Sequence, residues 1–282
     1  MQQWLRNLPV ARKFTLAFGI VCSLCIVLGG YTFLTFHDIS VKSLDVSGNA
    51  FPSVVHLAAA RSAMNVIRRN DLDLLLCQTP DCTASHTRQR QEAVEDFQSH
   101  LKAYESFISY PGEREIYEKV AANYAQYLEL SNRGVGLLAA GKAGDGLDLM
   151  GGDATIAVFN NAQAAFNADI DLNVKKGTES AQSATRASRR ATWVGSGVTV
   201  LIILLCALIG VVLTREVAPR LGRLRNAVEA MADKDLTIHV RVTGTDEIGQ
   251  LGEALNSSTA SIRGVLEKVA QSAETLSSAT TE

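Results

Sequence analysis

Aromatic residues are scarce in this chain, at 6% of 282 residues, and it holds only 5 prolines and 5 cysteines. So few aromatics argue against a sandwich or barrel and favour helices that meet through small side chains. Neither sign of charge dominates: the net charge is −2, which gives no support to nucleic-acid binding. Five cysteines are too few for a disulfide scaffold, so their positions matter more than their number. The histidines His37, His56, His86 and His100 are scattered, with no Ser-His-Asp or HExxH grouping, and no glycine-rich phosphate loop opens a helix. No catalytic residue, cofactor or metal set is therefore assigned. The glycine-rich stretch from 141 to 153, "GKAGDGLDLMGGD", follows a helix rather than a strand and is expected to be a loop.

What the chain does have is two long apolar runs. Phe14 to Phe36 and Ala191 to Thr214 contain no charged residue, and about 20 residues of helix cross a hydrocarbon core about 30 Å thick. The first run follows a basic start. Its apolar core exceeds the roughly 7–15 residues of a cleaved leader, and no Ala-x-Ala-like site follows, so it reads as an uncleaved anchor. Arg6, Arg12 and Lys13 precede it without an acid, and Arg215, Arg220, Arg223 and Arg225 follow the second run. Outside, only Lys42 lies near the first span, whereas Lys175, Lys176, Arg186, Arg189 and Arg190 precede the second and run against the rule there. With the first helix dominant, both termini are cytoplasmic and 37–190 is external. Trp4 and Trp193 fall at the inner end of span one and the outer end of span two, depths that indoles favour.

The external segment reads as an antiparallel four-helix bundle. Helix one continues from the membrane to about Leu76 with Leu57, Ala60, Met64, Ile67 and Leu74 on one stripe. The second runs from about Ser85 to Ser109 and carries Val94, Phe97, Leu101, Tyr104 and Ile108. The third carries Tyr117, Val120, Tyr124 and Tyr127, and the last Ile156, Phe159, Gln163, Phe166 and Ile170. Apolar residues at spacings of 3 and 4 need partner helices. Helices one and four are the longer pair, by roughly 12 residues or about 18 Å, and would rise from the membrane as a stalk. Cys77 and Cys82 share a distal turn and are open to three readings: a disulfide, free or intermolecular thiols, or, with His86, a metal site short of four ligands. Cys22, Cys25 and Cys206 lie in the spans as small apolar packing residues. Arg61, Arg68 and Arg69 on helix one could fork a carboxylate ligand, against the alternative of solvated surface charges.

Beyond the second span, Pro219 permits a helix to restart, and Leu221, Leu224, Val228 and Met231 follow at helical spacing. Leu236, Ile238, Val240 and Val242 alternate with polar residues as an extended connector. Thr245 is the expected N-cap, with Asp246 and Glu247 at the positive end of the next helix. That helix presents Ile248, Leu251, Leu255, Ser258, Ile262, Val265 and Val269, in a phase that continues to Leu276. It is an a/d seam. An extended connector spanning the length of a helix makes the two helices parallel. Their seam is one that a single copy cannot fill and a homodimeric four-helix bundle can.

These residues resemble the HAMP linker of bacterial transmembrane receptors: Pro219 after the membrane helix, two heptad helices, Leu236 and Val240 in the connector, and "DEIGQL" at 246 to 251. The likeness covers about 215 to 268. Lys234 departs from it, standing where a Gly often precedes the Asp-Leu of the connector. With its spans and external bundle, the chain is similar to the front half of a methyl-accepting chemotaxis protein, and "EKVAQSAETLSSATTE" to the start of that family's cytoplasmic hairpin. The rest of the hairpin, its kinase-contacting tip and paired Glu/Gln methylation sites fall outside the sequence.

The resemblance implies an all-α, two-pass inner-membrane chemoreceptor, not an enzyme, acting as a homodimer. The parts would be a cytoplasmic N-terminus (1–13), spans at 14–36 and 191–214, a periplasmic sensor (37–190), a HAMP linker (215–268) and the start of a signalling helix (269–282). A small molecule, bound directly or through a periplasmic binding protein, would be its ligand. A histidine kinase and coupling protein would be contacted through the tip. Expected transmission residues are Pro219, Leu221, Leu224, Val228, Leu236, Val240, Glu247, Ile248, Leu251 and Leu255. Two other readings stand beside this one: the sensor half of a histidine kinase or cyclic-dinucleotide cyclase, and a membrane-anchored interaction protein. Against the kinase, the heptad phase passes Val269 without a His-Glu motif.

Overall fold

The computed structural model describes residues 7–279, so Trp4 and Arg6 lie outside the described residues. The elements are α1 (Val10–Asp45), a π-helical turn (Val46–Ala50), α2 (Phe51–Leu76), α3 (Pro80–Glu105), α4 (Glu113–Ala139), α5 (Ala143–Gly151), α6 (Asp153–Ala232) and α7 (Glu247–Ala279). No strand occurs among the described residues. α1 and α6 each contain a stretch long and apolar enough to cross a membrane, and both stretches are unburied within the chain. The residues divide into two compact units, Leu34–Ala191 and, together, Met1–Phe33 with Thr192–Glu282.

Local chemistry corrects several expected boundaries. The π turn falls just before Pro52, whose missing N–H and bulky ring disturb the bond to the preceding turn, and a π turn absorbs the misfit. α3 starts at Pro80 rather than Ser85, because the Thr79 side chain accepts the Cys82 N–H at 3.3 Å and Pro80 fits a first turn. It ends at Glu105 rather than Ser109, ahead of a turn in which Gly112 takes φ 82. The expected loop at 141–153 is instead the helix α5. Its glycines disfavour helix, but Met150 is fully buried and Leu147 packs on the core, and burial overrides propensity. Nor does Pro219 restart a helix: α6 runs through it without a break. Proline costs the helix one hydrogen bond there, and the turns on both sides persist.

The contacts set the bundle's directions within Leu34–Ala191. Asn70 meets His86 while His56 meets His100, so α2 and α3 are antiparallel. Phe97 stacks on Tyr124 at 3.5 Å while Arg90 reaches Ser131, which makes α3 and α4 antiparallel. Tyr127 meets Phe159 and Glu113 meets Asn173, giving the same for α4 and α6. Leu57, Ala60, Met64, Ile67, Leu74, Phe97, Tyr104, Val120, Tyr127 and Phe166 are buried as their spacing requires. On α6, however, the buried stripe is Thr155, Val158, Ala162, Phe166, Asp169 and Asn173. Four of the five expected α6 positions thus miss full burial by one residue, because the true stripe ends in two polar side chains that an apolar search passes over.

α5 fits only because glycine lets backbones approach. A Cβ on Gly146 would lie 2.6 Å from Leu75 Cδ2 and 3.0 Å from the Gly134 carbonyl oxygen, whereas one on exposed Gly136 meets nothing within 4 Å. Gly146→Ala is expected to cost about 1–3 kcal/mol of bundle stability through overpacking. Gly136→Ala is expected to add about 0.5–1 kcal/mol through helix propensity. Denaturant midpoints of the two variants should move in opposite directions.

Candidate functional site

Within the unit that contains the linker, a buried carboxylate organises the start of α7. Asp246 is 2% exposed. Arg220 grips it with both guanidinium nitrogens, at 2.7 Å each, and Lys13 donates to it at 2.8 Å. Asp246 also accepts the Gly249 N–H at 3.1 Å, so the cap of α7 is Asp246 rather than Thr245. Burial alone would raise this carboxyl, but the hydrogen bonds from Arg220 and Lys13 prevail and hold it down to about 2. Since the folded value is depressed, the cluster's contribution is intact at neutral pH and is lost only as pH falls from about 4 towards 2. Glu247, beside it, accepts the Val10 N–H at 2.7 Å.

Gly249 follows for a steric reason: a Cβ there would collide with the Gly244 carbonyl oxygen. The connector (233–246) is tied down by Asn256, which accepts from the Val240 N–H at 2.8 Å and donates to its carbonyl at 2.9 Å. Val240 is buried with Leu224 and Ala227, against Ile248 and Leu255. Leu236 is half-buried, and its carbonyl accepts from Arg263. Lys234 takes φ 70, so a left-handed turn persists without its glycine, at about 1–2 kcal/mol for an L-residue. The pairs Arg220–Asp246 and Met231–Thr259 advance together along both helices, which makes α6 and α7 parallel here. Leu221 (47%), Val228 (53%), Leu251 (56%) and Val265 (60%) are left exposed, an apolar seam uncovered by the single chain.

In the outer bundle, the three arginines do not converge. Arg61 donates to Asn167, Arg68 lies 4.7 Å over the Phe159 ring, and Arg69 is exposed. An open groove of about 360 Å³ between α2 and α3, lined by Ser62, Val66, Gln89, Glu92, Asp96 and His100 among others, includes none of them. A disulfide joins Cys77 to Cys82. It ties up both thiols beside His86, whose Nδ1 lies 2.9 Å from the Asn70 amide oxygen.

Two buried polar networks were not anticipated. In one, Arg90 binds Asp71 at 2.6 Å and Ser131 at 2.6 Å, and the Tyr127 hydroxyl donates to Asp71 at 2.9 Å. In the other, Glu113, Tyr104, Asp169 and Asn173 meet in the core. Their signal in the sequence was polar residues continuing a 3-and-4 stripe, at Asp71 after Ile67 and at Asp169 and Asn173 after Phe166.

Asp246→Ala would leave Arg220 and Lys13 as buried cations without a counter-ion and would remove the cap. Breaking a buried pair in this way is worth about 3–5 kcal/mol. Amide exchange over 247–252, measured on the chain in nanodiscs, should accelerate sharply. Arg220→Lys, which keeps the charge but loses the fork, should accelerate it less.

The model of a four-helix-bundle sensory module for signal transduction matches residues 7–187, and a HAMP-domain model matches 212–264. Over 287 aligned residues the chain is 21% identical to a protein of Bacillus subtilis named as a sensory transducer, YvaQ, an alignment that takes in 98% of this chain and 50% of YvaQ. A protein of Acetivibrio thermocellus, also named as a sensory transducer, is 25% identical over 173 residues, 61% of this chain and 31% of that one. The chain spans half the length of these relatives or less. With a helical sensory module, a membrane-length apolar stretch at each end of it and a HAMP domain after the second, the chain belongs to the four-helix-bundle sensory transducers, receptors of the methyl-accepting chemotaxis type.

Proposed function

We propose that this chain is the sensing and relaying half of a homodimeric chemoreceptor in the inner membrane. Both of its termini are cytoplasmic and its helical bundle faces outward. The observation that carries this reading is the uncovered seam of Leu221, Val228, Leu251 and Val265 on two parallel helices, a surface that a second copy of the same pair would bury. Sequence spans of 14–36 and 191–214 serve as the membrane crossings, 37–190 as the sensor and 215–268 as the linker. Exposed side chains such as Phe18, Ile26, Phe33, Leu201 and Leu204 suit contact with lipid.

A small molecule, or a binding protein carrying one, acts by preferring one of two bundle packings, since only a difference in affinity between two states can bias their equilibrium. A carboxylate ligand would meet Arg61, Arg68 and Arg69 only one at a time in this packing, and a shared fork requires the other packing to bring them together. The linker then converts that bias into one of two packings of nearly equal energy and passes it to a cytoplasmic region that governs a histidine kinase through its coupling protein. Pro219, Leu221, Leu224, Val228, Leu236, Val240, Glu247, Ile248, Leu251 and Leu255 carry the change through their packing.

Glu247 is the most direct test, because it faces solvent in the chain yet holds the Val10 N–H at 2.7 Å. In the full-length receptor, Glu247→Ala should shift resting kinase output and diminish the response to stimulus, with little change in expression. Unchanged resting output together with an unchanged response would remove Glu247 from the relay.

A further inference from the structure

The core of the outer bundle holds two carboxyl groups without a cation. Glu113 and Asp169 are both fully buried, and neither is in an ion pair among the described residues. One hydroxyl lies between them: Tyr104 Oη is 2.9 Å from Glu113 Oε1 and 2.7 Å from Asp169 Oδ1. A phenol has one proton and can donate once. Both contacts are of hydrogen-bond length, and the arrangement that gives each its own proton is one in which one acid is protonated and donates to the phenol oxygen.

The remaining partners identify it. Glu113 accepts three N–H groups, from the Ser109 backbone at 2.7 Å, the Tyr110 backbone at 2.8 Å and Asn173 Nδ2 at 2.9 Å. Asp169 has only a 3.4 Å contact from the same Asn173 nitrogen on Oδ1, and its Oδ2 is buried without a partner. The Asn173 Oδ1 atom is likewise buried and unpartnered, a free acceptor on the neighbouring turn. Of the two acids, Asp169 is the one short of donors and so the one suited to hold a proton.

We infer that the sensor bundle contains a proton-binding site at Asp169, through which the acidity of the external medium sets how firmly α6 packs against Tyr104 of α3 and Glu113 of α4. Loss of the proton places a second negative charge beside Glu113 in a site that has no cation to receive it, and the contact loosens. Burial raises the Asp169 carboxyl to about 6, with the Tyr104 hydrogen bond opposing and the Glu113 charge adding. Tyr104 itself is driven far above the usual phenol range, chiefly by burial, and does not compete for the titration. Because the folded value lies above the unfolded one, the stabilisation is complete below about 4 and is lost as pH rises through about 6.

Ala50 against Gly177 and Arg61 on Asn167 set the α2–α6 register, which brings Ala58 and Ala59 level with Asp169, with His56 the nearest histidine of α2. His56 meets His100 of α3, Nδ1 to Nδ1 at 3.1 Å. Arg61 is taken by Asn167. Asp45 accepts from Tyr110 at 3.0 Å and Ser180 at 2.6 Å.

The site itself stands on the bundle's geometry, and its role as a signal input rests on the receptor reading above. Hydrogen exchange over 100–116 and 165–175 of the chain in nanodiscs, corrected for intrinsic rates, gives the local opening constant against pH. From pH 4 to 7 that constant should rise about 100-fold, the roughly two-unit displacement of Asp169 expressed as a ratio. Asp169→Asn, neutral at every pH, should abolish the rise. Glu113→Gln should move its midpoint to lower pH. Parallel profiles for wild type and Asp169→Asn would overturn the site. Should Asp169→Asn fail to fold, an unmoved midpoint in Glu113→Gln overturns it instead. In the full-length receptor, a step in external pH should change kinase output, and Asp169→Asn should silence that response. A pH-dependent bundle whose receptor answers other stimuli but ignores pH would overturn the input role and leave the receptor reading standing.

Discussion

Each helix here has an apolar stripe that must be covered, and the places where the chain cannot cover its own stripe define what it does. In Leu34–Ala191 the four long helices close on one another around Phe97, Tyr124 and Phe166, and the stripes are satisfied internally. In the linker, Leu224, Ala227 and Val240 pack within the chain while Leu251, Ile262, Val265 and Val269 do not. A seam repeating at 3 and 4 over six turns is far more than an isolated exposed apolar residue, and a second copy in parallel is the simplest surface that matches its period.

Inside these apolar frames four acidic side chains are buried, Asp71, Glu113, Asp169 and Asp246, and their complements of donors and counter-charges differ. Asp246 has two cations and a capped amide, so its charge is secure over the physiological range and its role is positional. It fixes where α7 begins relative to the first residues of α1 and the stretch after Pro219. Asp71 has one guanidinium and one phenol. Asp169 has no cation, and burial raises its carboxyl to about 6.

The amino-acid sequence made the helical class, the membrane-length runs, the core of α2 and α4 and the HAMP-like seam legible, because each depends on periodicity that extends over many residues. Boundaries that depend on a single side chain were harder to see. The Thr79–Pro80 start of α3 was visible as a cap followed by proline but lay inside the Cys77–Cys82 turn, which drew the break to itself. α5 was hidden by its glycines, whose value is close approach rather than propensity. The ion cluster at Asp246 joins residues 13, 220 and 246, a convergence that no local pattern encodes. The α6 stripe was misread by one position because Asp169 and Asn173 occupy places where an apolar search expects none.

The central claim is that the exposed heptad seam closes against a second copy of the chain. Distances between spin labels placed on the two copies in nanodiscs test it, with one label at Val265 on the seam and, separately, one at Glu267 on the opposite face of α7. The account predicts a short, narrow distance at 265 and a longer, broader one at 267. Equal distances at the two positions, or no inter-copy coupling at 265, would contradict it.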